Sequence, residues 1–453
     1  MINPLTPGTF SYYRHNIYFE IIYYDDRVVS YKSNQFRLYN KPIIQSTNQR
    51  RKQEMEGIEN KKAVVIGVGN CGSQVANLAG QKYPELFDSV YINTSESDLS
   101  MVTSNEGLKF KIGDKKDVEG SGKNRAKMKE FLQKDIERIL GDEPLQELVK
   151  NKRYAFIVVS AAGGTGSGAG PILMEIMQQL FPDVNFILVG VLPQIGASLM
   201  EQGNTLEFLT ELYDVLSDQT TYMIYDNEST AELPPTKALE VVNENIVEDM
   251  RILTGIDNYP TPYESIDDAD MESILTTPGR ILVVRITKNL TEKSMEDNSL
   301  SDMIVKSIKQ SCHAETDRNK KVVRWGIITY FSDRVNSLYD PELTGLQDFI
   351  GTPIERFNHN AINESGKESL NFMYLVASGL SPINDRVKRV TDRIEELKAA
   401  LASDDSSKYI LSGDSTSYEA LSARREAERH SRITEEINTN DIFKKFMNPG
   451  GKV

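Results

Sequence analysis

Two glycine-rich turns, each set between an apolar strand and a helix, restrict this chain more than any other feature. Gly67-Val68-Gly69-Asn70-Cys71-Gly72 follows the short apolar run Ala63 to Ile66. Ala161-Ala162-Gly163-Gly164-Thr165-Gly166-Ser167-Gly168 follows a second run, Phe156 to Ser160. Glycines let the backbone approach a phosphate closely, and the N–H groups opening a helix attract its charge. The small residues of the second turn let successive N–H groups converge on an anion, and Thr165 and Ser167 add hydroxyl donors. The second turn is not a P-loop, because no Gly-Lys-Ser/Thr follows it.

Around these turns the chain alternates apolar strands with amphipathic helices. Strands are expected at Ala63 to Ile66, Ser89 to Ile92, Phe156 to Val159, Phe186 to Val191 and Tyr222 to Tyr225. Helices are expected at Ser73 to Tyr83, Lys123 to Ile139 and Pro171 to Leu180. That rhythm predicts a parallel sheet covered by helices. Leu239 to Leu253 reads as one helix bridging to a second half, with strands at Arg280 to Thr287, Val322 to Phe331 and Asn371 to Ala377. In the closing helix, Ile383 to Leu401, Val387, Val390, Ile394, Leu397 and Leu401 share one face. Ahead of all this, Ile17 to Tyr24 and Val28 to Tyr31 read as a hairpin around Asp25-Asp26-Arg27.

The first turn alone fits G-x-G-x-x-G and admits a dinucleotide-binding fold. That fold wants an acid closing the second strand to hold a ribose. Here the strand ends Ile92-Asn93-Thr94, and Asp98 comes late. A second phosphate-cradling turn in the same sheet is also foreign to it. A tight turn that simply needs glycine is the plain alternative for either motif.

Composition narrows the function. The net charge of −14 argues against duplex DNA binding by the body of the fold. A nucleotide site needs only local donors and a cation. The longest apolar runs, such as Phe186 to Leu192, have strand length, so no membrane span or secretory leader is expected. Two distant cysteines, Cys71 and Cys312, suit a reducing cytoplasm. The histidines at 15, 313, 359 and 430 lack metal-ligand spacing, so no protein-held metal is expected.

At Ala162 to Gly168 the chain resembles the tubulin/FtsZ superfamily, whose signature is a GGGTGTG-type loop. Ala162 stands for its first glycine and Ser167 for its second threonine. The resemblance implies a Rossmann-like GTP-binding domain at 61–238, a central helix at 239–255 and a smaller α/β activation domain at 256–380. C-terminal helices and a tail follow at 381–453, and an extension precedes at 1–60. It implies GTP or GDP as ligand, with magnesium. Gly69, Asn70, Cys71 and Gly72 would hold phosphate together with Gly163, Gly164 and Gly166. Gly120-Ser121-Gly122-Lys123-Asn124-Arg125 matches the loop that senses the terminal phosphate, with Gly122, Lys123 and Arg125 as candidates beside a plain surface-loop reading. Asn227 and Asn243 fall at the guanine-contacting positions, Glu244 beside the second, and Glu201 or Asn204 where the ribose is held.

Ser265-Ile266-Asp267-Asp268-Ala269-Asp270-Met271 resembles the FtsZ pattern N-x-D-F-A-D-V, with Asp268 in place of the aromatic. In the family these acids enter the neighbouring subunit's pocket and orient the attacking water. Asp267 and Asp270 are therefore the expected catalytic pair, and the chain itself the expected partner in a filament. A solvated acidic cap for the helix Met271 to Leu275 is the alternative. Leu375 to Pro382 and the helix after it resemble plasmid and phage bacterial tubulins, in which that helix packs along the next subunit and the filament moves or positions DNA. A cell-division filament is the second reading and a dinucleotide-dependent oxidoreductase the third. The locally basic end, Lys444 to Lys452, is a candidate dock for a DNA-bound adaptor.

Overall fold

The computed structural model describes residues 8–14, 17–24, 27–31, 62–102, 107–113, 120–216, 220–255, 268–287, 300–314, 324–331, 344–353, 355–362 and 372–403. Asp267 and the basic end at 444–452 lie outside them. The chain divides into two units, 1–60 and 61–453.

The first unit holds an antiparallel meander of β1 (Gly8–Arg14), β2 (Ile17–Tyr24) and β3 (Arg27–Tyr31). β2 and β3 are the expected hairpin, with Tyr24 opposite Arg27. β1, pairing along all of Gly8–Arg14, is a further strand that the sequence reading does not contain.

The second unit is built on one ten-stranded sheet. In chain order its strands are β4 (Ala63–Val68), β5 (Phe87–Asn93), β6 (Leu108–Lys111), β7 (Tyr154–Ser160), β8 (Asn185–Leu192) and β9 (Thr221–Asp226). They continue with β10 (Gly279–Thr287), β11 (Arg324–Phe331), β12 (Glu355–Ile362) and β13 (Phe372–Leu380). Their order across the sheet is β12-β11-β13-β10-β9-β8-β7-β4-β5-β6. All pairings from β6 to β9 are parallel, as the strand–helix rhythm predicts. β13 runs antiparallel to both β10 and β11.

Helices cover both faces, so the inner strands are apolar on both sides. On one face Ile66, Ile92, Ile157 and Leu188 pack beneath α3 (Arg125–Leu140), α4 (Glu143–Lys150), α5 (Thr165–Leu180) and α6 (Leu199–Glu211). On the other, Val65, Tyr91, Phe156 and Val189 meet α1 (Gly69–Lys82), α2 (Glu96–Met101), α7 (Pro235–Gly255) and α8 (Asp268–Thr276). A separate core of β10 and β13 residues packs on α9 (Leu300–Lys309) and α10 (Thr344–Ile350). α11 (Asn384–Ser403) lies along α6.

β9 is where the two halves of the sheet meet. It pairs with β10 only at Thr221↔Gly279 and Tyr222↔Arg280. On that edge the rest of β9 is held by the segment after α9, while β8 pairs with the whole of its other edge. Ala314 N–H donates to the Ile224 carbonyl at 2.8 Å, Asp226 N–H to the Cys312 carbonyl at 2.8 Å, and His313 bridges Tyr225. The buried Asp249 of α7 accepts from Tyr225 Oη at 2.7 Å and lies 3.1 Å from His313 Nε2.

Both signature helices begin earlier than their apolar periodicity suggests. α1 starts at Gly69 rather than Ser73, and α5 at Thr165 rather than Pro171. Each therefore incorporates half of its glycine motif as a first turn.

Candidate functional site

β5 and β6 lie to one side of β4, while β7, β8 and β9 lie to the other. The chain thus reverses its lateral direction between β4 and β7, and the C-terminal strand ends leave a crevice there. Both glycine turns emerge at this point. A Cβ on Gly69 (φ +75°) would lie 3.1 Å from the Gly166 nitrogen, so the starts of α1 and α5 abut. In α5 the first intrahelical bond is Gly168 N–H to the Gly164 carbonyl, 3.1 Å. The N–H groups of Thr165, Gly166 and Ser167 precede it and have no carbonyl of their own helix to reach. Two helix N-termini opening together form an anion cradle.

The glycines of the cradle do different work. A Cβ on Gly67 would sit 2.3 Å from the Gly72 carbonyl oxygen, and one on Gly72 2.1 Å from that of Val158. One on Gly164 would meet Ser121 Oγ at 2.3 Å and the Asn124 nitrogen at 2.7 Å. One on Gly166 would lie 2.9 Å from the Val68 carbonyl oxygen. These four let backbone pack on backbone. Around Gly163 the nearest atom is Ser160 Cβ, at 4.0 Å. Gly163 therefore presents open space, the cradle that a ligand would fill.

Several predicted donors turn inward. Ser167 Oγ donates to the Gly163 carbonyl, and Ala162 N–H to Ser160 Oγ at 3.3 Å. Their hydroxyl and amide thus brace the turn. Arg125 is a correction to the phosphate-contact reading. Pro171 lacks the N–H that would bond the Ser167 carbonyl four residues back in α5. Arg125 Nη2 fills that place at 2.8 Å while pairing with Glu211 at 2.5 Å, and Nη1 lies 3.3 Å from Glu207. Arg125 is buried and structural.

Lys123 differs. It sits at φ 59°, left-handed, after Gly120 and Gly122, which are left-handed too. Its carbonyl carbon lies 2.8 Å from where a Cβ on Gly164 would be, which sets Lys123 over the second turn. Its ammonium pairs with Glu201 Oε1 at 2.8 Å, half exposed. Glu201 also closes a capping box with Ser198 at the start of α6. Burial alone would raise Glu201, but the Lys123 and Ser198 hydrogen bonds outweigh it and hold the carboxyl below its ordinary value. Asn204 donates to the Lys123 carbonyl at 2.8 Å and the Ala162 carbonyl at 2.9 Å. It ties the two loops together, leaving its Oδ1 for any ligand.

Two hydroxyls that sequence reasoning missed join Thr165. Thr94 Oγ1, just past the end of β5, lies 2.9 Å from Thr165 Oγ1, which donates to Ser121 Oγ at 3.3 Å. Asp98, the late acid, accepts from Asn93 Nδ2 at 3.2 Å. Asn70 is exposed and accepts from Gln74 Nε2 at 3.2 Å. Burial pushes the Cys71 thiol up to about 12, so it stays protonated at neutral pH.

On the flank beside β9, Asn227 opens a short 3-10 turn, Asn227–Thr230, directly after the strand. Its Oδ1 is buried without a hydrogen-bond partner. A buried orphan acceptor awaits a donor such as a base edge. α7 packs against this turn and carries half-buried Asn243 and exposed Glu244. Asp270 lies in the first turn of α8.

Residues 62–233 match the family described as "Tubulin/FtsZ family, GTPase domain". The tubulin-like protein CetZ of Pyrococcus abyssi is 25% identical over 250 residues, 54% of this chain and 66% of the relative. The chain thus spans just under two thirds of that curated relative. The tubulin-like protein TubZ of Clostridium botulinum C phage is 22% identical over 391 residues, 84% of this chain and 97% of the relative. Among solved structures, the tail-truncated TubZ of Clostridium botulinum phage c-st superposes with a TM-score of 0.60 at 19% identity. That match covers 76% of this chain and 100% of the other. The CetZ2 protofilament of Haloferax volcanii, GTPgS-bound, gives 0.58 at 17% identity over 74% of this chain and 99% of the other.

Proposed function

Taking residues 62–233 as a tubulin/FtsZ-family GTPase domain, we propose that the chain binds GTP and hydrolyses it while assembling into a filament of its own copies. The observation that carries the reading is the abutment of two glycine-opened helix starts at the point where the sheet reverses. Triphosphate lies across these N-termini, with Gly163 facing it and Lys123 near its terminal phosphate. Guanine reaches Asn227 and Asn243, and the ribose lies by Glu201. A magnesium ion would be held mainly by phosphate oxygens and water and would offset the charge on the phosphates.

Asp267 and Asp270 serve the cradle of the next copy rather than their own, orienting water in line with the γ-phosphate. Transport or positioning of plasmid or phage DNA is the favoured use. It is supported by the similarity to a phage TubZ over 84% of the chain. The basic end at 444–452 then docks a DNA-bound adaptor. Light scattering and phosphate release with GTP, GDP, ATP and a slowly hydrolysed GTP analogue test the reading. Scattering should rise with GTP and the analogue, and persist only with the analogue. No nucleotide-dependent polymer, or equal affinity for ATP, overturns it.

A further inference from the structure

The guanidinium of Arg386, in the first turn of α11, is buried where two strand ends meet. Nε lies 2.5 Å from Asp226 Oδ2 and Nη2 lies 3.0 Å from Asp226 Oδ1. Nη2 also donates to the Pro193 carbonyl at 2.5 Å. A planar fork thus joins the C-terminal ends of β8 and β9. The clamped Asp226 carboxylate accepts Glu228 N–H at 3.0 Å and so caps the turn that Asn227 opens. Glu228 Oε2 in turn accepts Ile195 N–H at 2.8 Å, stitching the two strand ends a second time. At the head of α11, Ile383 N–H donates to Tyr213 Oη at 3.2 Å. The helix then runs along α6, which carries Glu201 and Asn204. Its far end is free of this packing, and Leu401 is 62% exposed.

From this geometry we infer that Arg386 is a positioning residue for base recognition, and that α11 and the base-reading turn move as one body. The inference rests on Asn227 reading guanine. Arg386 touches no nucleotide. It fixes the Asp226 carboxylate, and that carboxylate fixes the backbone from which the orphan Oδ1 of Asn227 is aimed. Displacing α11 by its exposed end would therefore loosen the grip on the base before the grip on the phosphates. The phosphate cradle at α1 and α5 has its own braces and makes no contact with Arg386 among those described.

The test compares GTP and ATP affinities of full-length wild type, Arg386→Met and Arg386→Lys. Lysine keeps the charge beside Asp226 but cannot hold both carboxylate oxygens and the Pro193 carbonyl together, so the fold is retained if the methionine variant loses it. The GTP-over-ATP preference should fall by roughly tenfold in Arg386→Met and part of the way in Arg386→Lys, consistent with losing about one hydrogen bond to a buried group. ATP affinity, carried by the phosphate cradle, should stay unchanged. A role confined to stability would lower melting temperature without moving the ratio. A folded Arg386→Lys with the wild-type ratio overturns the inference. A wild type with no preference for GTP instead overturns the guanine reading beneath it.

Discussion

Lys123 and Glu201 face each other beside the second glycine turn, with Nζ 2.8 Å from Oε1 and Lys123 held in a left-handed backbone. The pair is half exposed, and exposed pairs of this kind contribute at most about 1 kcal/mol. A terminal phosphate is the stronger partner for the ammonium. Lys123→Ala should weaken GTP binding by roughly tenfold while leaving GDP nearly unchanged, as one charge-assisted contact implies. Calorimetric titration with both nucleotides checks this, and equal losses would place the ammonium away from the terminal phosphate.

Gly163 and Gly164 separate ligand approach from packing. Gly163 has no neighbour inside 4.0 Å of a built Cβ, whereas Gly164 would strike Ser121 and Asn124. Gly163→Ala should leave the melting temperature unchanged and weaken nucleotide binding. Gly164→Ala should lower stability by about 1–3 kcal/mol, an overpacking cost. Thermal melts with and without GTP read both. A Gly163→Ala protein with wild-type affinity would make the loop purely structural.

Glu248 on α7 gives a pH signature. Burial alone would raise its carboxyl, but hydrogen bonds from Lys82, Tyr83 and Arg251 bring it down to about 2 from an ordinary 4.5. The folded value is the lower one, so the stabilisation is complete above pH 4.5 and is lost as pH falls toward 2. Solvent screening at this half-open knot leaves about 1–2 kcal/mol. Glu248→Gln should show that deficit in urea unfolding at pH 7 and converge on wild type near pH 2. A deficit independent of pH would refute the ion-pair origin.

Asp267 and Asp270 give the kinetic prediction. If they complete the neighbouring copy's site, GTP turnover per subunit should rise steeply with protein concentration. Asp270→Ala or Asp267→Ala should cut turnover by roughly 10²–10⁴ while sparing binding and assembly. Such filaments should persist, because γ-phosphate is never lost. Phosphate release across a dilution series decides it. Turnover independent of concentration would refute the shared site.

The parallel sheet was legible because its strands are buried on both faces and read as continuous apolar runs. The close packing of the two glycine turns was legible because glycine at Gly67, Gly72 and Gly166 answers a steric demand of the backbone. The helix starts are not legible, since Thr165-Gly166-Ser167-Gly168 carries no apolar periodicity, only the position of a first turn. α6 is marked in the sequence only by the capping box of Ser198 and Glu201. Arg125 looked like a phosphate ligand because nothing local reveals that Pro171, 46 positions on, strips a carbonyl that it must serve. Thr94, Ser121 and Arg386 owe their places to contacts between distant segments, which no local pattern announces.

The narrow join at β9 bears on how the two ends of the molecule communicate. With only Thr221 and Tyr222 laddered to β10, the upper part of the strand leans on Cys312–Ala314 as on a splint. A splint transmits force along its own length. A shift of α9 would reach Asn227 through Ala314 and Cys312, and α7 would feel it at Asp249, which holds both Tyr225 and His313. Hydrogen-exchange protection of the Asp226 and Ala314 amides, the two donors across this contact, would then report on the far half of the sheet.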